Sequence, residues 1–137
     1  MEQKEKLKLK TKETGNKGEL ICARYLKSEG FTLIAMNYQK KWGEIDVIVQ
    51  KANKIHFVEV KTVSYETKDD LDYAVAHGTW RPEDNVHQNK LIKLSRVIQT
   101  WIIEHKWSGD FQIDVAAIRI VPRETYARIN IIENIIL

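Results

Sequence analysis

The chain has 137 residues, 43% of them hydrophobic and 30% charged, with a formal net charge of +3. That is enough for one hydrophobic core and too little for two, and no apolar run approaches the roughly 18 residues of a membrane span. The single cysteine, Cys22, excludes an internal disulfide and argues against a structural zinc site, while the mild positive charge permits a nucleic-acid partner without demanding one.

The N-terminus, Met1-Glu2-Gln3-Lys4-Glu5-Lys6, runs into further lysines rather than into the apolar segment of an export signal. With the lone thiol, this leads to the expectation of a cytoplasmic protein. Lysines at 4, 6, 8, 10 and 12 stand among few large apolar groups, so residues 1–12 read as a flexible basic arm ahead of a single domain over residues 13–137. Such an arm can touch phosphates, although a solvated tail is the plainer reading. A helix is expected from Asn16, which can cap, with Glu19 three residues later in a capping-box position. Leu20, Cys22, Ala23 and Leu26 form its apolar stripe, and Gly30 ends it.

Thr32 to Tyr38 reads as a first strand. Two further strands follow in quick succession, Glu44-Ile45-Asp46-Val47-Ile48-Val49 and Lys54-Ile55-His56-Phe57-Val58-Glu59-Val60-Lys61, and apolar residues on both faces of each predict a central place in a helix-covered sheet. If Ala52-Asn53 is a two-residue hairpin loop, with Asn53 tolerating a positive φ, then 51 faces 54, Asp46 faces Glu59 and Glu44 faces Lys61. That register gathers Glu44, Asp46, Glu59 and Lys61 on one side of the sheet. Opposed carboxylates destabilise a sheet unless a positive group lies between them. A divalent cation at Asp46 and Glu59, with an ammonium beside it, is the arrangement that phosphodiester cleavage needs. The plainer alternative is a pair of cross-strand salt bridges on a solvated face.

Between Ser64 and Asp84 the pattern breaks into an acidic excursion, interrupted by Gly78 and Pro82, with room for a short helix over Leu71–Ala76. The strongest helix runs from Asn85 to about Lys106, capped by Asp84 or Asn85, with Leu91, Leu94, Ile98, Trp101 and Ile102 on its apolar face. Lys90, Lys93 and Arg96 are either its wet face or phosphate contacts, and positive residues in its first turns oppose its dipole, which hints at an anionic partner. Phe111–Val121 and Ala127–Ile136 are two more strands, joined at Pro122-Arg123-Glu124 in a second hairpin. Trp42 and Trp80 either pack against the core or stack on unpaired bases. His56, His77, His87 and His105 lack metal-ligand spacing, and only His87 reads as a neighbour of the site. Asp114, inside an apolar strand, is expected to be paired internally.

The ordered set Gly15-x-x-Gly18-Glu19-x-x-x-Ala23, Gly43-Glu44-Ile45-Asp46, Phe57-Val58-Glu59-Val60-Lys61-Thr62 and Val86-x-x-x-Lys90 resembles the YraN, or UPF0102, family of bacterial proteins over about Gly15 to Val121. That family is similar to the archaeal Holliday-junction resolvases and to the PD-(D/E)xK nucleases. The resemblance implies an α/β, restriction-endonuclease-like fold with a mixed central β-sheet flanked by α-helices, and Mg²⁺ or Mn²⁺ at its carboxylates. Asp46 matches the first metal-binding acid, Glu59 the second and Lys61 the motif lysine. Glu19 matches the acid of the first helix and Lys90 the basic position of the later one. In the mechanism so implied, the carbonyl of Val60 joins Asp46 and Glu59 at the metal. Two departures are visible: Val63 stands where many relatives carry a basic residue, and the acidic segment 64–84 is longer than usual.

The implied activity is a metal-dependent DNA endonuclease acting on branched or distorted duplexes, with Lys90, Lys93, Arg96 and His87 toward the DNA and no role at a membrane. Resolvase-like proteins act as symmetric pairs, so a homodimer is an expectation too, although no self-complementary patch is legible. The alternatives are a non-catalytic nucleic-acid-binding module on the same scaffold, or an interaction subunit in DNA uptake or repair.

Overall fold

The computed structural model describes residues 2–78 and 88–135, with side chains over 14–78 and 89–135. These residues form helices α1 (Glu2–Ser28), α2 (Lys68–His77) and α3 (Gln88–Glu104) and strands β1 (Thr32–Lys40), β2 (Gly43–Lys51), β3 (Lys54–Ser64), β4 (Asp110–Val121) and β5 (Tyr126–Ile132). The strands lie side by side in chain order, and only β3 and β4 run parallel. That parallel step needs a crossover, which α2 and α3 supply. The result is the mixed, helix-flanked sheet of a restriction-endonuclease-like α/β fold.

α1 starts well before Asn16, which therefore lies within the helix rather than at its cap. The lysine-rich residues 2–12 are its first turns, so no break in secondary structure marks position 12. Its C-terminus closes as anticipated at Gly30, which adopts φ 93° while Phe31 N–H donates to the Leu26 carbonyl and Gly30 N–H to that of Lys27. This is a Schellman ending, and Leu26 and Phe31 enter the same core cluster across it.

The two faces of the sheet follow from strand alternation. Val47, Val49, Val58, Val60, Ala116, Ile118 and Ile120 pack with Cys22 and Leu26 of α1. On the other face Ile45, Ile48, Ile55, Phe57 and Ile113 pack under Leu94, Val97, Ile98 and Trp101 of α3, with Phe57 and Trp101 edge to face at 5.4 Å between ring centroids. Val97 takes the buried place expected for Leu91, which is only half-buried. The caps expected at Asp84 and Asn85 lie outside the described residues, as do Trp80 and His87. α2 is longer than anticipated: Thr67 caps it by accepting from Asp70 N–H, Gly78 ends it at φ 57°, and Leu71 is buried. β4 and β5 form the second hairpin through a short 3-10 turn at Pro122–Glu124.

The β2–β3 hairpin has the anticipated register, with Lys51 opposite Lys54, but the left-handed φ of 53° falls on Ala52 rather than Asn53. The ladder then stops at Val47 and Val58, one pair short of Asp46 and Glu59. Beyond it β2 stays paired with β1 to Gly43, and β3 with β4 to Ser64. The sheet opens there into a fork, with Asp46 on one arm and Glu59 on the other.

Candidate active site

Asp46 turns out of the ordinary alternation of its strand. Ile45 and Val47 would share a face of a regular strand, yet they belong to opposite cores. The neighbouring strand is disturbed at the same level, with Asn37 at φ 52°. Asp46 is thereby turned toward β3, where its Oδ2 accepts the N–H of Val60 at 2.8 Å. A carboxylate replaces the ladder hydrogen bond that the fork has removed.

α1 reaches this point because Gly18 lets it. A Cβ at Gly18 would lie 1.8 Å from Thr62 Oγ1, whereas one at Gly15 would meet nothing within 4 Å. Of the two motif glycines in α1, Gly18 alone sets the close approach of helix to strand, and it delivers Glu19 to the fork. One oxygen from each of Glu19, Glu44 and Asp46 lies within 4.8 Å of the others. Gly43 performs the same service on the other face, where a Cβ would stand 2.7 Å from Val97 Cγ2, so α3 packs tightly over the start of β2. The closeness brings Lys90 and Lys93 beside the acids. A cavity of about 150 Å³ lies between Gly43, Glu44, Asp46, Glu59, Lys90 and Lys93.

Glu59 is only 3% exposed and is held by both motif-related lysines: Lys90 Nζ stands 2.5 Å and Lys61 Nζ 3.6 Å from its Oε1. The lysines are not equivalent. Burial, and then Lys90 alongside, lower the pKa of Lys61 against the pull of Glu59 and Asp46. For Lys90 burial is again the largest single influence and disfavours the charge, but the hydrogen bonds to Glu59 and Lys61 and the charges of Glu59 and Asp46 together raise its pKa. Burial pushes the Asp46 carboxyl up to about 8, with the negative charge of Glu59 next in weight, then Glu19 and Glu44, and the Val60 N–H opposing them. Glu19 is raised by burial and by Glu44, with the Asn37 side chain opposing. Crowded carboxylates of this kind are stable as anions only with a cation among them.

The structure thus brings Asp46, Glu59, Lys61, Glu19 and Lys90 together. It groups them differently from the sequence reading: Asp46 clusters with Glu44 and Glu19, while Glu59 is neutralised by lysines and Val60 meets Asp46 through its N–H. Glu44, which the sequence reading set on the same side of the sheet opposite Lys61 but gave no part in holding a cation, joins Asp46 and Glu19. The signal available for it was its position two residues before Asp46. Lys93 lines the cavity, and Arg96 lies farther along α3, its guanidinium over the Trp42 ring at 5.4 Å while Trp42 Nε1 donates to Thr100 Oγ1. Trp42 packs against the α3-side core, as the plainer reading had it. Asp114 is internally paired, accepting from Gln112 Nε2 and Asn134 N–H and lying 2.8 Å from His56 Nδ1.

No helix among the described residues is long and apolar enough to cross a membrane. The profile of the Uncharacterised protein family UPF0102 matches residues 18–118, a span that holds Glu19, the fork, Lys61 and Lys90. A UPF0102 protein of Campylobacter fetus subsp. fetus is 36% identical over 104 residues, covering 76% of this chain and 81% of that protein. One from Campylobacter lari is 35% identical with the same coverage. Another, from Campylobacter hominis, is 30% identical over 129 residues, 94% of this chain and 98% of its own length. By the extent of that match and these identities, the chain belongs to the UPF0102 family.

Proposed function

We propose that the protein is a cytoplasmic, divalent-cation-dependent endonuclease that hydrolyses phosphodiester bonds in branched or distorted DNA. The observation that carries this reading is the fork, where oxygens of Glu19, Glu44 and Asp46 converge within 4.8 Å beside Glu59 and its lysines. Convergent hard oxygen donors fit Mg²⁺ or Mn²⁺ and offer nothing to a softer metal. Asp46, Glu44 and Glu19 would hold the ion, with Glu59 within reach across the fork. When bound, the cation supplies Lewis acidity and lowers the pKa of a water.

The remaining steps belong to the chain. Asp46 is fixed by Val60 N–H and lines the cavity, so its carboxyl is held in place without loss of rotamer freedom at the moment of reaction. Lys61, on the same face as Glu59, is placed to hydrogen-bond the attacking water or a non-bridging phosphate oxygen, and Glu59 orients it. Lys90 and Lys93, across the cavity on α3, meet the negative charge of the phosphate.

A second reading is supported by the Lys90–Glu59 ion pair, which already neutralises one acid of the site. In that reading the scaffold binds nucleic acid without cutting it. Supercoiled plasmid and synthetic four-way junctions, incubated with Mg²⁺, Mn²⁺ or a chelator, distinguish the two. The nuclease reading expects cation-dependent cleavage that falls at least roughly 100-fold in Glu59→Gln and Asp46→Asn proteins that remain folded. Cleavage that survives both substitutions belongs to a contaminant. Salt-sensitive binding without cleavage favours the second reading.

A further inference from the structure

The sheet face that carries Glu59 and Lys61 continues past the site. In the parallel register Lys61 pairs with Ala117 and Val63 with Arg119, whose chain neighbours Ile118 and Ile120 belong to the α1-side core. Arg119 therefore lies on the Lys61 face, one strand over and two residues along, about 8 Å from Lys61 backbone to backbone by ordinary sheet spacings. One strand farther, Arg128 stands directly opposite Arg119 in the β4–β5 ladder.

This pair runs against the rules of a stable sheet. Like charges set directly opposite one another are destabilising. Arg119 is 7% exposed, and its Nε is buried without an acceptor. Among the described residues no carboxylate pairs with its guanidinium, a group that cannot shed its charge. Arg128 is served separately, donating to Asp72 Oδ1 of α2 at 2.9 Å. Both arginines lie beyond residue 118, where the match to the family profile ends.

A buried, uncompensated cation is costly, and a costly feature beside a phosphodiester site points to an anion delivered by the ligand. A guanidinium presents two parallel N–H donors that match two phosphate oxygens. We propose that Arg119 and Arg128 form a phosphate clamp that takes a backbone phosphate adjacent to the one at Lys61, fixing the direction in which the nucleic-acid strand crosses the sheet. The clamp rests on the reading of the fork as a nucleic-acid site, but it is a binding feature and is measured without cleavage.

The test is equilibrium binding of a labelled synthetic four-way junction and a linear duplex, in chelator, over a salt series. Arg119→Gln and Arg128→Gln are each expected to weaken binding roughly tenfold and to reduce the slope of log affinity against log salt by about one. The thermal midpoint of Arg119→Gln should hold or rise, because the lost charge has no carboxylate partner among the described residues; a purely structural arginine would lower the midpoint and leave the slope alone. If Arg119→Gln does not fold, Arg128→Gln at the half-exposed end of the pair reads the same slope. Unchanged slopes in folded variants overturn the clamp while leaving cleavage by the wild type intact. A wild type that binds neither DNA overturns the clamp as well. Binding that shows the slope change without any cleavage keeps the clamp and removes the nuclease.

Discussion

Lys90 Nζ lies 2.5 Å from Glu59 Oε1, so a lysine from the first turns of α3 closes on a buried strand carboxylate across the mouth of the fork. This ion pair ties the helix to the sheet at the site itself. Its neighbour Lys61, at 3.6 Å, is the weaker partner.

Replacing Lys90 with Met leaves Glu59 buried with only that longer contact. The expected loss is about 1–2 kcal/mol, below the ~3–5 kcal/mol of a fully buried pair because Lys90 is itself half exposed. Urea unfolding at neutral pH measures it, and the loss should vanish in a Glu59→Gln background. An undiminished loss in that background would show that the aliphatic stem of Lys90, rather than its charge, matters.

Asp46→Asn keeps an oxygen for Val60 N–H and removes a carboxyl whose ionisation burial and the neighbouring acids oppose in the folded protein. At neutral pH and without divalent cations the variant is expected to melt higher than the wild type, by about 1 kcal/mol of stability. Addition of Mn²⁺ should raise the melting temperature of the wild type and leave the variant where it was. A variant that melts lower and still responds to Mn²⁺ removes Asp46 from the cation site.

Gly18→Ala drives a methyl into Thr62, whose Oγ1 would be 1.8 Å away. Overpacking of this kind costs about 1–3 kcal/mol, and the strain displaces Glu19 from the fork. Thr62→Ala should by itself be nearly neutral, since Thr62 Oγ1 is buried without a partner, and it should partly rescue Gly18→Ala. Additive losses in the double variant would exclude the contact as the cause. Gly15→Ala, with open space around it, serves as the control.

Glu104 carries the clearest test of acid dependence away from the site. Its pKa is lowered by a hydrogen bond from Lys40, 2.7 Å away, and then by one from Tyr38, also at 2.7 Å. A carboxylate depressed by folding stabilises the native state above its unfolded pKa of about 4.3, and that stability disappears as pH falls through the lower folded value. Glu104→Gln should therefore melt slightly below the wild type at about pH 6 and converge with it as the pH falls through the lowered folded pKa. The effect is small because the carboxylate is at the surface. A gap that persists or widens in acid would contradict the assignment. Tyr38, pushed up to about 12 chiefly by burial and then by Glu104, should titrate earlier in the variant.

Much of the local structure was legible in the residues. The two-residue connection between Lys51 and Lys54 fixes a hairpin register, because loop length and pairing are geometrically linked. Apolar residues on both faces of β2 and β3 announced central strands, and Gly30 announced the end of α1. Asp114, a lone acid in an apolar strand, had to find internal donors, and it did. The start of α1 was missed because lysine-rich turns lack an apolar stripe, and helix length there is set by continuation from a packed segment.

Residue identity and spacing by themselves determined that Asp46, Glu59 and Lys61 would meet near one end of a central hairpin, since strand periodicity and a short loop leave little freedom. Tertiary packing alone decided how they meet. β1 and β4 hold the two arms apart beyond Val47 and Val58, so Asp46 turns to Val60 and toward Glu44 and Glu19 rather than facing Glu59 across a ladder. Lys90 and Arg119 reach the same face from a helix and a strand far along the chain. Their positions come from α3 packing over Gly43 and from the parallel pairing of β3 with β4, long-range contacts that no local pattern encodes.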